Sequence, residues 1–347
     1  MKNDIDFTKP YFIAEIGGNH DGEINRAIKL IQLAAQNGAH AVKFQNFSGN
    51  SLFNFEAYSE LATKFSPHKR SIDEIKQLID KYTVPAEWFK KLRRVCDEQN
   101  VDLITAPYDI ESIADVDLYV DAFKIGSGDL TWHEKAIILQ NTGKPLILST
   151  GASKFVEVES LIRKLDLSKK IAVLQCTSNY EGGDQNLQHT NLNVLKKYKK
   201  CWPEVDFGIS DHQKSIIPII GSIILGGNVI ERHFTDDNNR NGADHGVALL
   251  PSEWSDMVIA GNLAHTSLGS ENKIVELCEN GTRMTQRRSL WFKRDMHQNE
   301  IITREDIEVL RPNTGKGFGA DEIDQVVGKT ISCSVKKRDL IFDAHLR

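Results

Sequence analysis

Gly208-Ile209-Ser210-Asp211-His212 and Val229-Ile230-Glu231-Arg232-His233-Phe234-Thr235-Asp236 share one pattern: a short apolar run that ends in polar residues and a histidine. A run of this kind is how a buried parallel strand reads at its C-terminal end. Between the two, Ile216 to Leu225 is long enough for a crossover helix. The spacing predicts two neighbouring parallel strands with His212 and His233 side by side at one face of a sheet. Two imidazoles converging on a cleft suit a divalent cation. Two hydrogen-bonded core histidines are the plainer alternative.

Working outward, the same pattern repeats upstream. Tyr11 to Ile16 is an apolar run closed by Gly17-Gly18-Asn19-His20-Asp21-Gly22, and Ala27, Leu30, Ile31 and Ala34 then recur at helical spacing up to Gly38. Further strands are predicted at 41–45, 101–107, 122–128, 145–151 and 171–177, with helices at 85–98, 133–141, 155–165 and 191–200. Residues from about 46 to 84 read as a long, polar, irregular insertion. Eight strands alternating with helices describe an α/β fold, a closed (β/α)8 TIM barrel, with a doubly wound open sheet as the alternative. Such a barrel builds its site at the C-terminal strand ends. That rule gathers Glu15, Asn19, Lys43, Gln45, Thr105, Lys124, Ser127, Asp129, Ser149, Tyr180, Ser210, His212 and His233 around one mouth.

An ammonium inside an apolar barrel is costly unless an anion neutralises it. Lys43 and Lys124 with Ser127, Ser149 and Ser210 therefore read as a cradle for a phosphorylated, carboxylated ligand. Internal salt bridges from the lysines to Glu15 or Asp129 are the competing reading. The barrel pattern fades after Leu268, which places a barrel domain over 1–271 and a charged linker over 272–285. Residues 286–347 alternate short apolar runs with Gly turns, as in Arg288 to Phe292 and Ile301 to Pro312. A unit of that size is marginal alone and is expected to dock on a barrel.

Composition narrows the function. The net charge of −5 argues against nucleic acid as a partner. No apolar stretch approaches the roughly 20 residues that span a bilayer, so no membrane partner is expected. Five cysteines, Cys96, Cys176, Cys201, Cys278 and Cys333, are dispersed without a CxxC, which suits reduced thiols and a cytoplasmic location.

Several stretches carry a family resemblance. Phe12 to Gly22, Ala41-Val42-Lys43-Phe44-Gln45, Lys124-Ile125-Gly126-Ser127-Gly128, Leu148-Ser149-Thr150-Gly151, Gly208 to His212 and Glu231 to Thr235 resemble the motifs of the sialic acid synthase (NeuB-type) family, in family order. The C-terminal segment, with Leu310-Arg311-Pro312, resembles the antifreeze-like (SAF) domain those enzymes append. The resemblance implies a transferase that condenses phosphoenolpyruvate with an N-acylated hexosamine, giving a nonulosonic acid and phosphate by C–O cleavage. It implies a divalent metal, Mn2+ or Mg2+, on His212 and His233. Lys43, Thr105, Lys124, Ser127, Ser149 and Ser210 match donor-binding positions. Glu15 and Asp129 match acid/base or water-positioning residues, and Asn19, Gln45, Tyr180 and Asp244 match acceptor-side positions. Arg311 matches an arginine that reaches the acceptor, usually across a domain-swapped homodimer.

Asp129 stands where many relatives carry Glu, and Glu181 and the Asn241 to His245 stretch replace expected prolines. These departures leave the donor reading intact and open the acceptor to N-acetylmannosamine, a 2,4-diacetamido-trideoxyhexose or another modified sugar. A metal-dependent barrel aldolase or lyase, a synthase acting on a phosphorylated sugar, and a non-catalytic sugar-binding paralogue are the competing functions.

Overall fold

The computed structural model describes residues 5–47, 52–65, 72–179, 184–242 and 244–347. The chain divides into two compact units, Met1–Gly269 and Ser270–Arg347.

In the first unit eight parallel strands close into a barrel: β1 (Tyr11–Glu15), β2 (Ala41–Asn46), β3 (Asp102–Pro107), β4 (Ala122–Ile125), β5 (Leu146–Ser149), β6 (Ile171–Cys176), β7 (Asp206–Asp211) and β8 (Val229–His233). Closure is made by β8 on β1, with Tyr11 opposite Val229 and Glu15 opposite His233. An open sheet is thereby excluded. Side chains alternate between the two faces of each strand. Tyr11, Ile13, Ala41, Ile104, Ala122, Ile147, Ala172, Leu174 and Val229 fill the interior together with Ile5 and Phe7. Phe12, Val42, Phe44, Leu103, Phe123, Leu148 and Ile230 face outward into the larger core beneath the helices. Each fully buried aromatic there, such as Phe12 or Phe44, stabilises the fold by ~2–3 kcal/mol. β7 and β8 approach so closely that a methyl group on Gly208 would lie 1.7 Å from the Val229 carbonyl oxygen. Only glycine lets the two histidine strands pair at this register.

The covering helices follow the sequence periodicity. Helix α1 (Ile24–Gln36) buries Ala27, Leu30, Ile31 and Ala34 and ends before Gly38, whose φ is +89°. The 46–84 insertion is not irregular as the sequence suggests: it carries α2 (Phe55–Phe65) and α3 (Ile72–Tyr82). In α3, Ile72, Ile75, Leu78, Ile79 and Tyr82 recur at helical spacing, a narrow stripe hidden among charges. Asp73 and Glu74 in the first turn and Lys81 in the last suit the helix dipole. Next come α4 (Ala86–Gln99), α5 (Glu111–Asp117), α6 (His133–Asn141), α7 (Phe155–Ile162), α8 (Val194–Cys201), α9 (Ile217–Ile224) and α10 (Pro251–Ser267). Among the described residues no helix is long and apolar enough to cross a membrane.

In the second unit β9 (Ser289–Phe292) pairs antiparallel with β10 (Ile307–Leu310) over a core of Leu290, Phe292, Met296, Ile302, Ile307, Val326, Ile331, Val335 and Ile341. The 301–306 stretch turns instead of extending, because Asp306 accepts hydrogen bonds from the Thr303 backbone and hydroxyl at 2.9 and 2.8 Å. Part of the expected linker is helical, as α11 (Asn280–Gln286), and α12 (Ile323–Val326) is a single short turn.

Candidate active site

The polar end of the barrel interior is one connected layer. Period-two alternation places Glu15 of β1, Lys43 and Gln45 of β2, Lys124 of β4, Ser149 of β5, Cys176 of β6, Ser210 of β7, and Glu231 and His233 of β8 above the apolar filling. Lys43 and Lys124 are 4% and 2% exposed. Lys43 Nζ lies 2.7 Å from Glu15 Oε2 and 3.6 Å from Glu231 Oε1. Lys124 Nζ lies 3.5 Å from Glu231 Oε2 and donates to Ser149 Oγ at 2.6 Å. Ser210 Oγ donates to Glu231 Oε1 at 3.1 Å, and Gln45 Nε2 donates to Glu15 Oε1 at 2.7 Å. Two ammonium groups and two carboxylates thus share one buried cage.

The partners decide the protonation. Burial works against a charged Lys43, but Glu15 and Glu231 outweigh it and hold the amine above the usual lysine range. Burial lowers Lys124, and the nearby Lys43 ammonium adds to the effect against the pull of Glu231. Burial would raise Glu231, but Lys124 and Lys43 keep it well below the ordinary carboxylate range.

The two histidines meet as the spacing predicts, with ring centroids 5.4 Å apart. Burial, followed by repulsion from His233, lowers His212 to about 3, so its imidazole is neutral and able to ligate a metal. Asp244 Oδ2 lies 3.8 Å from His233 Nδ1 and accepts a hydrogen bond from the Gly18 backbone at 3.2 Å. Gly17, at φ +48°, is held tightly between carboxylates: a methyl group there would lie 2.8 Å from Asp244 Oδ2 and 3.0 Å from Glu15 Oε1. Among the described residues no group of three or more His, Cys, Asp or Glu forms a metal cage. Two imidazoles, with carboxylates nearby, fit a cation that draws its remaining ligands from water and substrate.

The remaining predicted positions divide. Ser127 opens the turn after β4 and its Oγ accepts from the Gly151 backbone at 3.0 Å. Asn19 is buried and donates to the Phe234 carbonyl at 3.0 Å. Thr105 is not in the inner layer: it alternates with the inward Ile104, and its hydroxyl donates to the Phe44 carbonyl at 3.2 Å. Asp129 faces the fully buried Lys135, 2.5 Å away, not Lys43 or Lys124. Tyr180 lies outside the described residues. Arg311 follows β10 in the second unit and donates through Nε to the Gln286 carbonyl at 2.7 Å.

Residues not singled out beforehand complete the site. Glu231 is the hub of the cage, and its place two residues before His233 on one strand is the signal that could have found it. Behind it, Arg232 Nη1 bonds Asp211 Oδ2 at 2.8 Å, tying β8 to β7, while burial pushes Asp211 up to about 6. Tyr108 follows β3, and burial raises its phenol, with Glu15, Asp129 and Asp244 adding to the rise. At the rim, Asp21 collects Lys81 Nζ at 3.1 Å, Arg26 Nε at 3.3 Å and His245 Nε2 at 3.4 Å. That clasp joins the β1 loop, α1, α3 and the segment after β8.

Residues 30–273 match the NeuB family and residues 287–347 match the SAF domain. The chain is 30% identical to the N,N'-diacetyllegionaminic acid synthase of Campylobacter jejuni, covering 96% of this chain and 99% of that one. It is 27% identical to the human N-acetylneuraminate-9-phosphate synthase, over 96% and 91% of the two chains. Among solved structures, the N-acetylneuraminic acid synthetase of Leptospira borgpetersenii superposes with a TM-score of 0.67 at 25% identity, covering 80% of this chain and 90% of that one. A closed barrel with a polar mouth and an appended SAF domain makes this chain a member of the NeuB family, the sialic acid synthase-type transferases that form carbon–carbon bonds.

Proposed function

We propose that the chain condenses phosphoenolpyruvate with the open-chain aldehyde of an N-acylated hexosamine, giving a nonulosonic acid and inorganic phosphate. The observation that carries this reading is the pair of buried lysines set beside the histidine pair in one polar layer. Lys43 and Lys124 supply charge-assisted hydrogen bonds to the phosphate and carboxylate of the donor, and Ser127, Ser149 and Ser210 add neutral ones. His212 and His233 would hold a divalent cation, Mn2+ or Mg2+, which when bound supplies Lewis acidity toward the acceptor carbonyl.

The protein's own groups do the rest. Asn19, Gln45, Tyr180 and Asp244 set the acceptor so that C3 of the enol faces its carbonyl carbon. Bond formation leaves cationic character at C2, where water adds. Glu15, held on one oxygen by Lys43 and on the other by Gln45, is placed to orient that water and take its proton. The tetrahedral intermediate then loses phosphate through C–O cleavage. The barrel of 1–271 carries this chemistry, the 272–285 connector leads to the SAF domain of 286–347, and a domain-swapped homodimer in the cytoplasm delivers Arg311 to the acceptor.

Phosphate release from phosphoenolpyruvate with Mn2+ and a panel of N-acyl hexosamines, followed by product mass, is the test. The expected product has the mass of the sugar plus pyruvate. Phosphate release with no such adduct, or adduct formation without phosphate release, overturns the proposal.

A further inference from the structure

Lys135 is fully buried, yet the condensation proposed above gives it no task. It lies in the first turn of α6, beside Ala136 and Leu139 on the covered face of the helix. A methionine or leucine would fill the same space without the cost of burying an ammonium. Its Nζ donates to the carbonyl of Pro107, the last residue of β3, at 3.0 Å, and to Asp129 Oδ2 at 2.5 Å. The rings of Tyr108 and Trp132 lie 5.5 and 5.1 Å away. A strand end, a carboxylate and two aromatic rings therefore fix one cation.

Asp129 has the complementary geometry. Its side chain is 21% exposed, and Oδ2 is tied to Lys135. Among the described residues its Oδ1 takes no hydrogen bond. It sits in the turn after β4, on the barrel face that carries Lys124.

We propose that Lys135 is a positioning residue: it anchors Asp129 by one oxygen so that the other meets an O–H donor at the barrel mouth, from a substrate hydroxyl or the attacking water. The inference rests on the proposed condensation. A carboxylate free to rotate offers its second oxygen in the wrong place much of the time, and misplacement on the ångström scale costs up to about a hundredfold in rate.

The experiment compares the full-length protein with Lys135→Met, Lys135→Arg, Asp129→Asn and the double variant K135M/D129N, using phosphate release. Lys135→Met should lower turnover roughly tenfold to a hundredfold while the KM for phosphoenolpyruvate moves by less than about twofold. A parallel rise in acceptor KM identifies the sugar hydroxyl as the partner, and an unchanged acceptor KM identifies water. Lys135→Arg should recover part of the loss, and Lys135→Met should cost nothing further in the Asp129→Asn background. Native turnover in Lys135→Met, a loss confined to the KM for phosphoenolpyruvate, or an undiminished loss beside Asp129→Asn overturns the proposal. Should the native protein release no phosphate with any acceptor, the condensation itself fails. The clamp is then decided by 13C NMR of the Asp129 carboxyl group: a resonance displaced by Lys135→Met upholds it, and an unmoved one overturns it.

Discussion

The inner layer and the rim of the barrel mouth are built in opposite ways. The inner layer is made of strand residues, each fixed by its register and bonded to its neighbours, as Lys43, Glu231, Lys124 and Ser210 are. The rim is made of loops tied by ion pairs at helix ends, with Asp21, Asp236 and Asp244 as its knots. A strand-borne cage cannot be rearranged without breaking the barrel, whereas loop-borne contacts change with loop sequence. Under the proposed function the cage would hold the donor, and the rim, through Asp244, would help distinguish the acceptor.

Removing both His212 and His233 as alanines is the harshest way to break this division. We expect turnover to vanish and Mn2+ binding, followed by titration calorimetry, to be lost from a protein that still folds. Tight Mn2+ binding by the folded double variant would place the metal elsewhere.

Glu231→Gln comes next. It removes the counter-charge that opposes the lowering of Lys124, so the Lys124 pKa should fall further. Under the proposed function the charged amine holds the donor, so the alkaline limb of the kcat/KM profile for phosphoenolpyruvate should shift to lower pH, with turnover down about tenfold to a hundredfold. An alkaline limb that stays in place would detach Lys124 from the donor.

Gly17→Ala probes the seam between the regions. The left-handed backbone and the crowding against Asp244 should cost about 1–2 kcal/mol of stability. Acceptor KM should rise several-fold while donor KM holds. Equal changes in both would erase the distinction between cage and rim.

The last effect is on stability against pH and leaves both regions' chemistry untouched. Burial lowers His20 to about 4 from the ordinary 6.5. The unfolded chain then binds a proton that the native one refuses, so stability is full above pH 6.5 and is lost as pH falls toward 4. The slope is about 1.4 kcal/mol per pH unit. Chemical denaturation of His20→Gln across this range should give a flatter curve than the native protein.

The same division explains what was legible beforehand. Strand alternation and the strand-end rule locate Glu15, Lys43, Lys124, Ser149, Ser210 and His233, because short-range periodicity alone decides which face each occupies. The strand-end rule treats both faces alike and so includes Thr105, whereas alternation would have removed it and would have drawn in Glu231. Lys135 was invisible because its partners, Pro107 and Asp129, come from other elements, and nothing local marks a helical lysine as buried. The insertion helices were missed because, as in α3, their apolar positions form a narrow stripe among charged residues.

The Asp21 clasp bears on how such a chain is inherited and recombined. One carboxylate receives Lys81 from α3, Arg26 from α1 and His245 from the far end of the barrel sequence. An insertion borrowed from another protein would bring its own last turn and leave Asp21 without one of its three partners. Grafts of this segment should therefore keep the Lys81 position as part of the host. The exchangeable cassette is residues 47–80, not the whole insertion.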